Sequence, residues 1–411
     1  MKILWIYPEF PYPLTSGLLR GFHLVRLLSH SHAITFLSLT ADDNISPERI
    51  QALEPYAERI EIFSKRSSPP PTWVRVFSRT PSLGWRLRES WNTASAVKRM
   101  KSRVQALLQQ EAFDVVLFSG REAIPLLESL EIPIVVDCGD TNCTRILQQM
   151  VQADLLFRPR LLLRYWKERQ LEEKLARKTP YRCFISTRDR ENLLGPSDES
   201  EIVPQGVDEK YWKRQVPASG TNCIVFSGAM NYSPNEDAAL FLLDSVLPLV
   251  RLSIPNLQVL VVGRDPSPEL LKASRRDNDV TVTGAVDDVR PYLERADVFV
   301  AAIRFASGVQ NKVLEAMAME IPVVTTPVVA AGLRFDGVDP HLVIGRTAEE
   351  IAAGVTHLLR HPEERKALAA SGRRFIEVHC SWSRSAEKLE NLCLAAVTRG
   401  PRVSRFGYVS I

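Results

Sequence analysis

Short apolar runs alternate with helix-patterned segments along the whole of this 411-residue chain. Continuous runs rich in β-branched residues are typical of strands buried on both faces, as in parallel sheets. The runs predict strands at Ile3–Tyr7, Ile34–Leu39, Val115–Phe118, Ile134–Asp137, Cys183–Ser186, Ile224–Ser227, Val259–Val262, Val280–Thr283, Val298–Ala301 and Val323–Thr325. Helices are predicted between them, for example at Leu18–Ser29, Ala96–Gln110 and Glu349–Arg360. Strand–helix alternation in both halves indicates α/β architecture with two doubly wound parallel-sheet domains.

The predicted boundary between these domains lies in Pro196–Pro217, where turn residues flank a short strand near Ile202. A last helix, predicted at Ser383–Leu394, is placed where it can pack back on the first domain. The expected division is a first domain at 1–198, a second domain at 199–378, a C-terminal helical segment at 379–397 and a loosely ordered tail at 398–411.

Composition narrows the class of protein. The net charge of +4 is small for this length, so charge alone does not indicate a nucleic-acid partner. The six cysteines are scattered without CxxC spacing, which predicts no metal site and favours a reduced cytosolic compartment. No apolar stretch approaches the roughly 20 residues of a membrane span. The N-terminal apolar run is cut by Pro8 and Glu9, so it does not predict a signal peptide.

The most informative segment is Ser307–Thr326, SGVQNKVLEAMAMEIPVVTT. It predicts a glycine turn at Gly308, a helix beginning near Gln310 and a buried strand. The unpaired N–H groups at the start of such a helix attract phosphate. Lys312 and Glu315 share a helix face, so the cation can meet a diphosphate and the carboxylate can accept hydrogen bonds from ribose hydroxyls. The alternative is an amphipathic helix with a solvated Lys–Glu pair.

Other strand ends carry candidate ligand residues, because ligands of open α/β sheets bind beyond the carboxyl ends of strands. After the first strand, Gly17 opens a helix and Arg20 follows, within reach of an anion. The alternative is that Gly17 only turns the chain and Arg20 is solvated. Strand ends in the second half supply the remaining candidates: Gly228, Asn231 and Asn235; Gly263 and Arg264; Gly284; and Arg304. Their convergence on one crevice is a stronger indication than any one of them.

These motifs resemble the GT4 family of retaining glycosyltransferases, whose two α/β domains face each other in the GT-B fold. The matching order is SGAM, VVGR, VTGAVDDVRPYLERADVFVAA, the segment beginning at Ser307, and a late HCSW. The first half is similar through its PxPxxxG loop with Arg20 and through IVPQGVD. Closest is a subgroup of sugar transferases associated with bacterial exopolysaccharide and exosortase systems.

The resemblance implies site residues. Glu315 would bind the donor ribose, and Lys312 with the backbone at Gln310 and Asn311 would contact the diphosphate. Gly284 would lie near the nucleobase pocket, and Gly17 would approach the donor phosphate from the first domain. The expected catalytic residues are Lys312, Glu315 and Ser307; the expected substrate-binding residues are Gly17, Arg20, Gly228, Asn231, Gly263, Arg264, Gly284, Arg304, Gly308, Val309, Gln310 and Asn311.

Three positions depart from the family pattern. Members often carry two glutamates eight apart in this motif, but the earlier position here is Ser307. Many place Arg and Lys after the first strand of the second domain, where this chain has Met230, Asn231 and Tyr232. Many also have a first-domain histidine near the transferred sugar, and Ser119–Arg121 and Asp137–Asp140 contain none. We interpret His23, His30 and His32 as packing or surface residues.

The resemblance implies transfer of a sugar, with retention, from a nucleoside-diphosphate sugar to a glycan or lipid-linked acceptor, without a metal ion or other cofactor. Domain closure would exclude water from the reaction. Arg158–Lys178 is a basic helical stretch with aromatic residues, which suits contact with the inner face of a membrane. The alternative for this stretch is an ordinary surface helix, since Glu168, Glu172 and Glu173 dilute its positive charge.

Other classes of protein remain open. One is a non-catalytic partner subunit that binds nucleotide sugar, which Ser307 and the missing histidine both permit. Another is a nucleotide-sugar epimerase on the same fold, for which no paired acid and base are found. A phosphorylase would need a longer chain, and a nicotinamide dehydrogenase would need GxGxxG after the first strand.

Overall fold

The computed structural model describes residues 1–12, 19–41, 45–66, 81–127, 130–216, 220–335 and 338–400; the side chains of residues 81–87 and of Gln152 are outside that description. Gly17 and the tail beyond Gly400 therefore lie outside the described residues.

The first domain is built on a seven-stranded parallel sheet with the order β3-β2-β1-β4-β5-β6-β7. Its strands are β1 Lys2–Tyr7, β2 Ala33–Thr40, β3 Arg59–Ser64, β4 Val115–Ser119, β5 Ile134–Asp137, β6 Arg182–Phe184 and β7 Glu201–Ile202. The central strands are fully buried because helices cover both faces of the sheet.

The second domain is built on a six-stranded parallel sheet with the order β10-β9-β8-β11-β12-β13. Its strands are β8 Cys223–Ser227, β9 Gln258–Val262, β10 Val280–Val282, β11 Val298–Ala301, β12 Val323–Thr325 and β13 Val343–Ile344. In both sheets the strand order reverses beside the first strand of the domain, which places a crevice at the carboxyl ends there. The predicted pair of doubly wound domains is confirmed.

Helices connect the strands. They are α1 Leu19–Leu28, α2 Pro47–Gln51, α3 Pro81–Gln110, α4 Ile124–Leu127, α5 Asn142–Gln152, α6 Arg158–Ala176, α7 Thr187–Leu194, α8 Ser233–Phe241, α9 Leu247–Arg251, α10 Pro268–Ser274, α11 Arg290–Glu294, α12 Asn311–Ala318, α13 Pro327–Gly332, α14 Ala348–Arg360, α15 Pro362–His379 and α16 Trp382–Arg399. A single 3₁₀ turn occupies Glu54–Tyr56, and a π-helical turn at Leu242–Val246 joins α8 to α9. Within the described ranges, no helix combines the length and the apolar character that crossing a bilayer requires.

The structure adds two strands that the apolar runs do not predict. In β3, RIEIFS, charged Arg59 and Glu61 interrupt the apolar positions, because this edge strand is only half-buried. β13 is two residues long, too short to give a pattern. At the other end of the chain, α16 continues to Arg399, so the first residues of the predicted loose tail are helical.

The last helix lies on the first domain. Leu389 and Cys393 of α16 are fully buried in the same apolar cluster as Ile3 and Trp5 of β1. The chain therefore passes between the domains twice, and the two passages lie side by side: the Val207 N–H donates to the Cys380 carbonyl at 2.8 Å. These paired passages tie the two halves of the molecule together at one edge of the crevice.

Candidate functional site

A cavity of about 1020 Å³ lies between the two domains, at the carboxyl ends of both sheets. Its first-domain wall comes from the residues after β1, β4 and β5. Its second-domain wall comes from the residues after β8 and β9 and from the start of α12. The cavity therefore lies where ligands of open α/β sheets bind, beyond the carboxyl ends of the strands.

The start of α12 forms the centre of the second-domain wall. Gln310 precedes the helix with an extended backbone, and its side chain does not cap the helix. The Gln310 Nε2 instead donates to the Ser307 carbonyl at 3.1 Å. Gln310 therefore provides no side-chain cap at the start of α12, in a segment that lines the cavity, an arrangement that favours an anion.

Lys312 and Glu315 project from this helix into the cavity wall. The Lys312 Nζ donates to the Gln310 Oε1 at 3.1 Å. Burial lowers the pKa of Lys312 to about 8, although Glu315 raises it. Burial also raises the pKa of Glu315 to about 7, although Lys312 lowers it. An anionic ligand beside Lys312 would favour its charged form.

Ser307 is buried and contacts the first domain. Its Oγ donates to the Asp140 Oδ2 at 2.8 Å. Asp140 itself lines the cavity. A carboxylate therefore lies beside position 307, although the sequence places none there, and it comes from the opposite domain.

Gly308 is required by this close approach. A Cβ at position 308 would lie 2.7 Å from the Asp140 Cβ, and the glycine φ of +59° is left-handed. Its N–H donates to the Asp189 Oδ2 at 3.2 Å, and its carbonyl accepts from the Arg188 Nη2 at 2.9 Å. The first domain thus holds the turn that precedes α12 by both backbone polar groups.

Asp189 is a buried carboxylate at the centre of this contact. It accepts from the Thr141 Oγ1 at 2.9 Å and from the Ser186 Oγ at 2.6 Å. Burial raises the pKa of Asp189, while Arg188 and the hydroxyl donors lower it. Three donors, the hydroxyls of Thr141 and Ser186 and the Gly308 N–H, stabilise a charge that burial alone would disfavour.

Two glycines bring β8 and β9 close together at the cavity. A Cβ on Gly263 would lie 1.8 Å from the Gly228 carbonyl oxygen, so no other residue fits. A Cβ on Gly228 would lie 2.6 Å from the Asn235 Nδ2 and 3.1 Å from the Lys312 Cε. Both glycines line the cavity, where the sequence predicts them. Gly284 bridges Gly263, and its successors Ala285 and Val286 form the lining there.

Several predicted residues behave differently from the expectation. Arg20 lines the cavity, but its guanidinium is already bound. Its Nε and Nη2 donate to the Asp137 carboxylate at 2.8 and 3.1 Å, and its Nη1 donates to the Val203 and Pro204 carbonyls. Arg20 is 5% exposed and fixes the end of β5 to the passage between the domains. The structure therefore gives this arginine a structural contact in place of the predicted anion contact.

Arg304 and Asn231 lie outside the cavity lining. Arg304 is paired with Asp237 and lies over the Phe241 ring at 4.9 Å. Asn231 is exposed and donates to the Asp265 Oδ2 at 2.9 Å. Each side chain is directed to a carboxylate of its own domain. The sequence pattern places both at strand ends but does not show the direction of the side chain.

The other predicted residues of the second domain line the cavity. They are Arg264, Ser307, Gly308, Val309, Gln310, Asn311, Lys312 and Glu315. Arg264 is the most exposed of the charged members and donates to the Asp265 Oδ2 at 3.2 Å.

Two buried polar atoms at the cavity lack a partner within the described part of the chain, one on Asn235, which the sequence identifies as a candidate, and one on Ser119, which it does not. The Ser119 Oγ, after β4, and the Asn235 Oδ1, on α8, are buried without a hydrogen-bond partner among the described residues, and both residues line the cavity. Unsatisfied buried polar atoms are costly, so such atoms indicate where a ligand supplies the missing partner. The one indication in the sequence was the position of Ser119 at the end of a strand, and no local pattern distinguishes it from other serines.

The histidines of the first helical region are packing or surface residues, as interpreted. His23 stacks on Trp382 with ring centroids 4.7 Å apart, and burial lowers its pKa to about 4. His32 contacts Glu390 of α16. Among the described residues, one group has metal-ligand spacing: His357, His361 and Glu364, which are exposed on the second domain and do not line the cavity.

The sequence of this chain was compared with known protein families and with curated proteins. Residues 221–361 match the family described as glycosyl transferases group 1. A curated relative is the GDP-mannose-dependent monoacylated alpha-(1-6)-phosphatidylinositol monomannoside mannosyltransferase of Corynebacterium glutamicum. It is 23% identical over 249 residues, which cover 54% of this chain and 64% of that protein. The match thus spans less than two thirds of the relative's length.

Solved structures resemble the chain over almost its whole length. Anabaena Alr3699/HepE in complex with UDP and glucose has a TM-score of 0.65 at 12% identity, covering 96% of this chain and 100% of that chain. Sucrose-phosphate synthase from Thermosynechococcus elongatus has a TM-score of 0.66 at 14% identity, covering 97% and 100%. At such identities the similarity establishes the fold. The chain therefore has the GT-B fold, and the part of its second domain that matches the family described as glycosyl transferases group 1 includes Lys312 and Glu315.

Proposed function

We propose that this protein transfers a sugar from a nucleoside-diphosphate sugar to a glycan or lipid-linked acceptor, with retention of the anomeric configuration and without a metal ion. The observation that carries the proposal is the pairing of Lys312 and Glu315 at an uncapped helix start, in a cavity shared by two domains. The HepE structures contain UDP or UDP-glucose, which supports a nucleotide sugar as donor.

The donor would lie against the second-domain wall. Lys312 and the first N–H groups of α12 bind the diphosphate, and Glu315 accepts hydrogen bonds from the ribose hydroxyls. As the glycosidic bond breaks, negative charge grows on the leaving diphosphate. Lys312 and the helix dipole stabilise that charge where it develops, which is the interaction that lowers a barrier. These groups supply the positive charge, so the proposed reaction needs no metal ion.

The acceptor would enter from the first-domain wall. Front-face attack lets the departing phosphate oxygen take the proton of the acceptor hydroxyl, so no separate base is needed. Asp140 and Ser119 face the cavity on this side and can hold the acceptor or the transferred sugar. The contacts of Asp189 and Arg188 with Gly308 hold the domains together over the site, which limits access of water.

We further propose a role in the synthesis of bacterial exopolysaccharide or another cell-surface polysaccharide, at the inner face of the membrane. The resemblance to exosortase-associated transferases supports this role. The curated relative is named for a phosphatidylinositol mannoside acceptor, which favours a lipid-linked acceptor.

Donor turnover tests the proposal. The full chain is incubated with UDP-, GDP-, ADP- and TDP-sugars, with and without bacterial lipid extract, and the released nucleoside diphosphate is measured. We expect turnover of one donor class, stimulated by lipid, with loss of release in Lys312→Ala and in Glu315→Ala. NMR of the product gives the anomeric configuration, and the rate with EDTA tests independence from metal.

A matched control comes from α15. Glu363 and Lys366 form an exposed Glu–Lys pair, also three residues apart, with an Oε1–Nζ distance of 2.9 Å. Glu363→Ala and Lys366→Ala should leave turnover unchanged. Tight donor binding without release under any condition would overturn the proposal and favour the non-catalytic partner subunit. Inversion of configuration would overturn the proposed mechanism alone.

A further inference from the structure

Exposed hydrophobic side chains concentrate in one small part of the molecule. Of 17 large hydrophobic side chains that are exposed among the described residues, nine lie between residues 147 and 171, in the hairpin formed by α5 and α6. The other eight exposed side chains are scattered over seven separate segments of the chain. Single exposed apolar residues are ordinary, whereas a contiguous group marks an interaction surface.

The exposure is greatest at the turn of this hairpin, 153–157. Leu155, Leu156 and Phe157 are 76, 90 and 59% exposed, and Leu163 and Trp166 extend the surface along α6. We name these five residues the apolar tip. Arg158 fixes the turn, since its guanidinium donates to the carbonyls of Ala153 and Val151. These two contacts tie the turn to the end of α5.

Basic side chains surround the apolar tip. Between residues 151 and 167 there are four basic residues and one acidic residue, Asp154. Arg160, Arg164 and Lys167 are exposed. The glutamates of α6 lie farther along the helix, where Glu168 and Glu172 contact Arg121. Those glutamates therefore do not dilute the charge at the tip. Long basic side chains beside apolar ones suit the boundary between lipid headgroups and acyl chains.

The base of the hairpin lies at the cavity. The Glu172 carboxylate accepts from the N–H groups of Asn142 and Cys143 at the start of α5, and from Arg121, which lines the cavity. α5 has 11 residues, so the tip projects about 16 Å from that base at the usual rise of a helix. The two ends of the hairpin thus differ: one is polar and faces the cavity, and the other is apolar and basic.

We propose that the apolar tip inserts into the headgroup region of a membrane that contains anionic phospholipid. Leu155, Leu156 and Phe157 enter the boundary of the acyl chains, while Arg160, Arg164 and Lys167 bind lipid phosphates. A second copy of this chain is disfavoured as the occupant, since the same basic side chains would face one another around a shared axis. The insertion is independent of catalysis. Its consequence, delivery of a lipid-linked acceptor to the cavity, rests on the function proposed above.

Vesicle flotation with the full chain tests this insertion. We expect the protein to float with vesicles of phosphatidylcholine and phosphatidylglycerol, and much less with phosphatidylcholine alone. The triple variant Leu155→Ser/Leu156→Ser/Phe157→Ser should reduce the floated fraction by about tenfold or more, because it removes the apolar anchor. Arg160→Ala/Arg164→Ala/Lys167→Ala should remove the preference for phosphatidylglycerol and the sensitivity to salt.

Leu252→Ser is the matched control. Leu252 is 83% exposed on the second domain, away from the hairpin, and its substitution should leave flotation unchanged. Thermal melting and donor release in the absence of lipid show that each variant is folded. Flotation of the triple serine variant at the wild-type level would overturn the proposal. The proposal would also be overturned if the wild-type protein does not bind vesicles but dimerises, and the triple serine variant abolishes the dimer. That result would make a second copy of the chain the occupant.

Discussion

The two walls of the cavity are assembled in different ways. The second-domain wall depends on a contiguous segment, in which Ser307, Lys312 and Glu315 stand within nine residues. The first-domain wall depends on pairs that are far apart in the chain: Arg20 and Asp137 are separated by 117 residues, and Asp140 and Ser307 by 167. The second-domain wall is therefore encoded locally in the sequence, whereas the first-domain wall depends on contacts that form only as the chain folds.

Arg20→Met gives the largest expected effect and should separate stability from turnover. It leaves the buried Asp137 carboxylate without its cation, which costs about 3–5 kcal/mol of unfolding free energy. Urea denaturation measures this loss. The double variant Arg20→Met/Asp137→Asn should recover part of it, because the uncompensated charge is gone. A variant of normal stability with weak donor binding would instead make Arg20 a ligand residue.

Lys312→Met should act in the opposite way. We expect a loss of about 10²–10³ in kcat/KM, as for removal of one charge-stabilising donor from an active site, with little change in stability. Steady-state kinetics with the accepted donor measures the effect. Lys366→Met is the control on a solvated lysine of the same domain. Equal effects of the two substitutions would mean that Lys312 is a surface cation like any other.

Asp140→Asn should have a smaller effect on turnover, through the hydrogen bond that joins the two walls of the cavity. The Ser307 Oγ would lose a charged acceptor, a change of about 1.5–3 kcal/mol for a hydrogen bond of this kind. We expect kcat to fall while the dissociation constant of the nucleoside diphosphate, measured by calorimetry, stays nearly constant. Ser307→Glu in the Asp140→Asn background should restore part of the rate if the carboxylate is what matters. Weakened nucleotide binding would show that Asp140 instead orders the donor side.

The pH dependence of nucleotide binding should give the smallest effect. Lys312 is charged below its pKa of about 8, and Glu315 is charged above its pKa of about 7. Binding that needs both charges is therefore strongest between these values. Above pH 8 it should weaken by up to about tenfold per unit as Lys312 loses its proton. Lys312→Met should remove this alkaline limb in calorimetric titrations, and an unchanged limb would assign it to another group.

The sequence predicted most of the fold because its strands are buried on both faces. Runs such as Val298–Ala301 have no polar position to interrupt them, so their bounds are those of the strand. β3 was missed because Arg59 and Glu61 sit on an edge that faces solvent on one side. A strand that is buried on both faces requires an uninterrupted apolar run, which the sequence shows clearly. A half-buried edge strand tolerates charged residues, so its pattern is weaker.

Residues of the candidate site could be predicted from the sequence where their contacts are with residues close in the chain. Gly263 and Lys312 line the cavity as predicted, because their positions follow from the turn or helix that carries them. Arg304 lies outside the cavity lining because it pairs with Asp237, which is 67 residues away, and no sequence spacing indicates that pair. The Ser119 hydroxyl was missed for the same reason, since only the folded cavity shows that it has no partner.

The position of α16 has a consequence for synthesis of the chain. Trp382 packs so closely over the first passage between the domains that a Cβ on Gly206 would lie 2.4 Å from its ring. Leu389 and Cys393 complete the core around Trp5, yet they leave the ribosome after the whole second domain. The domain that is made first is thus finished last, after the second domain has emerged. We expect ribosome-stalled chains that end before Trp382 to have a protease-sensitive first half beside a protected second half.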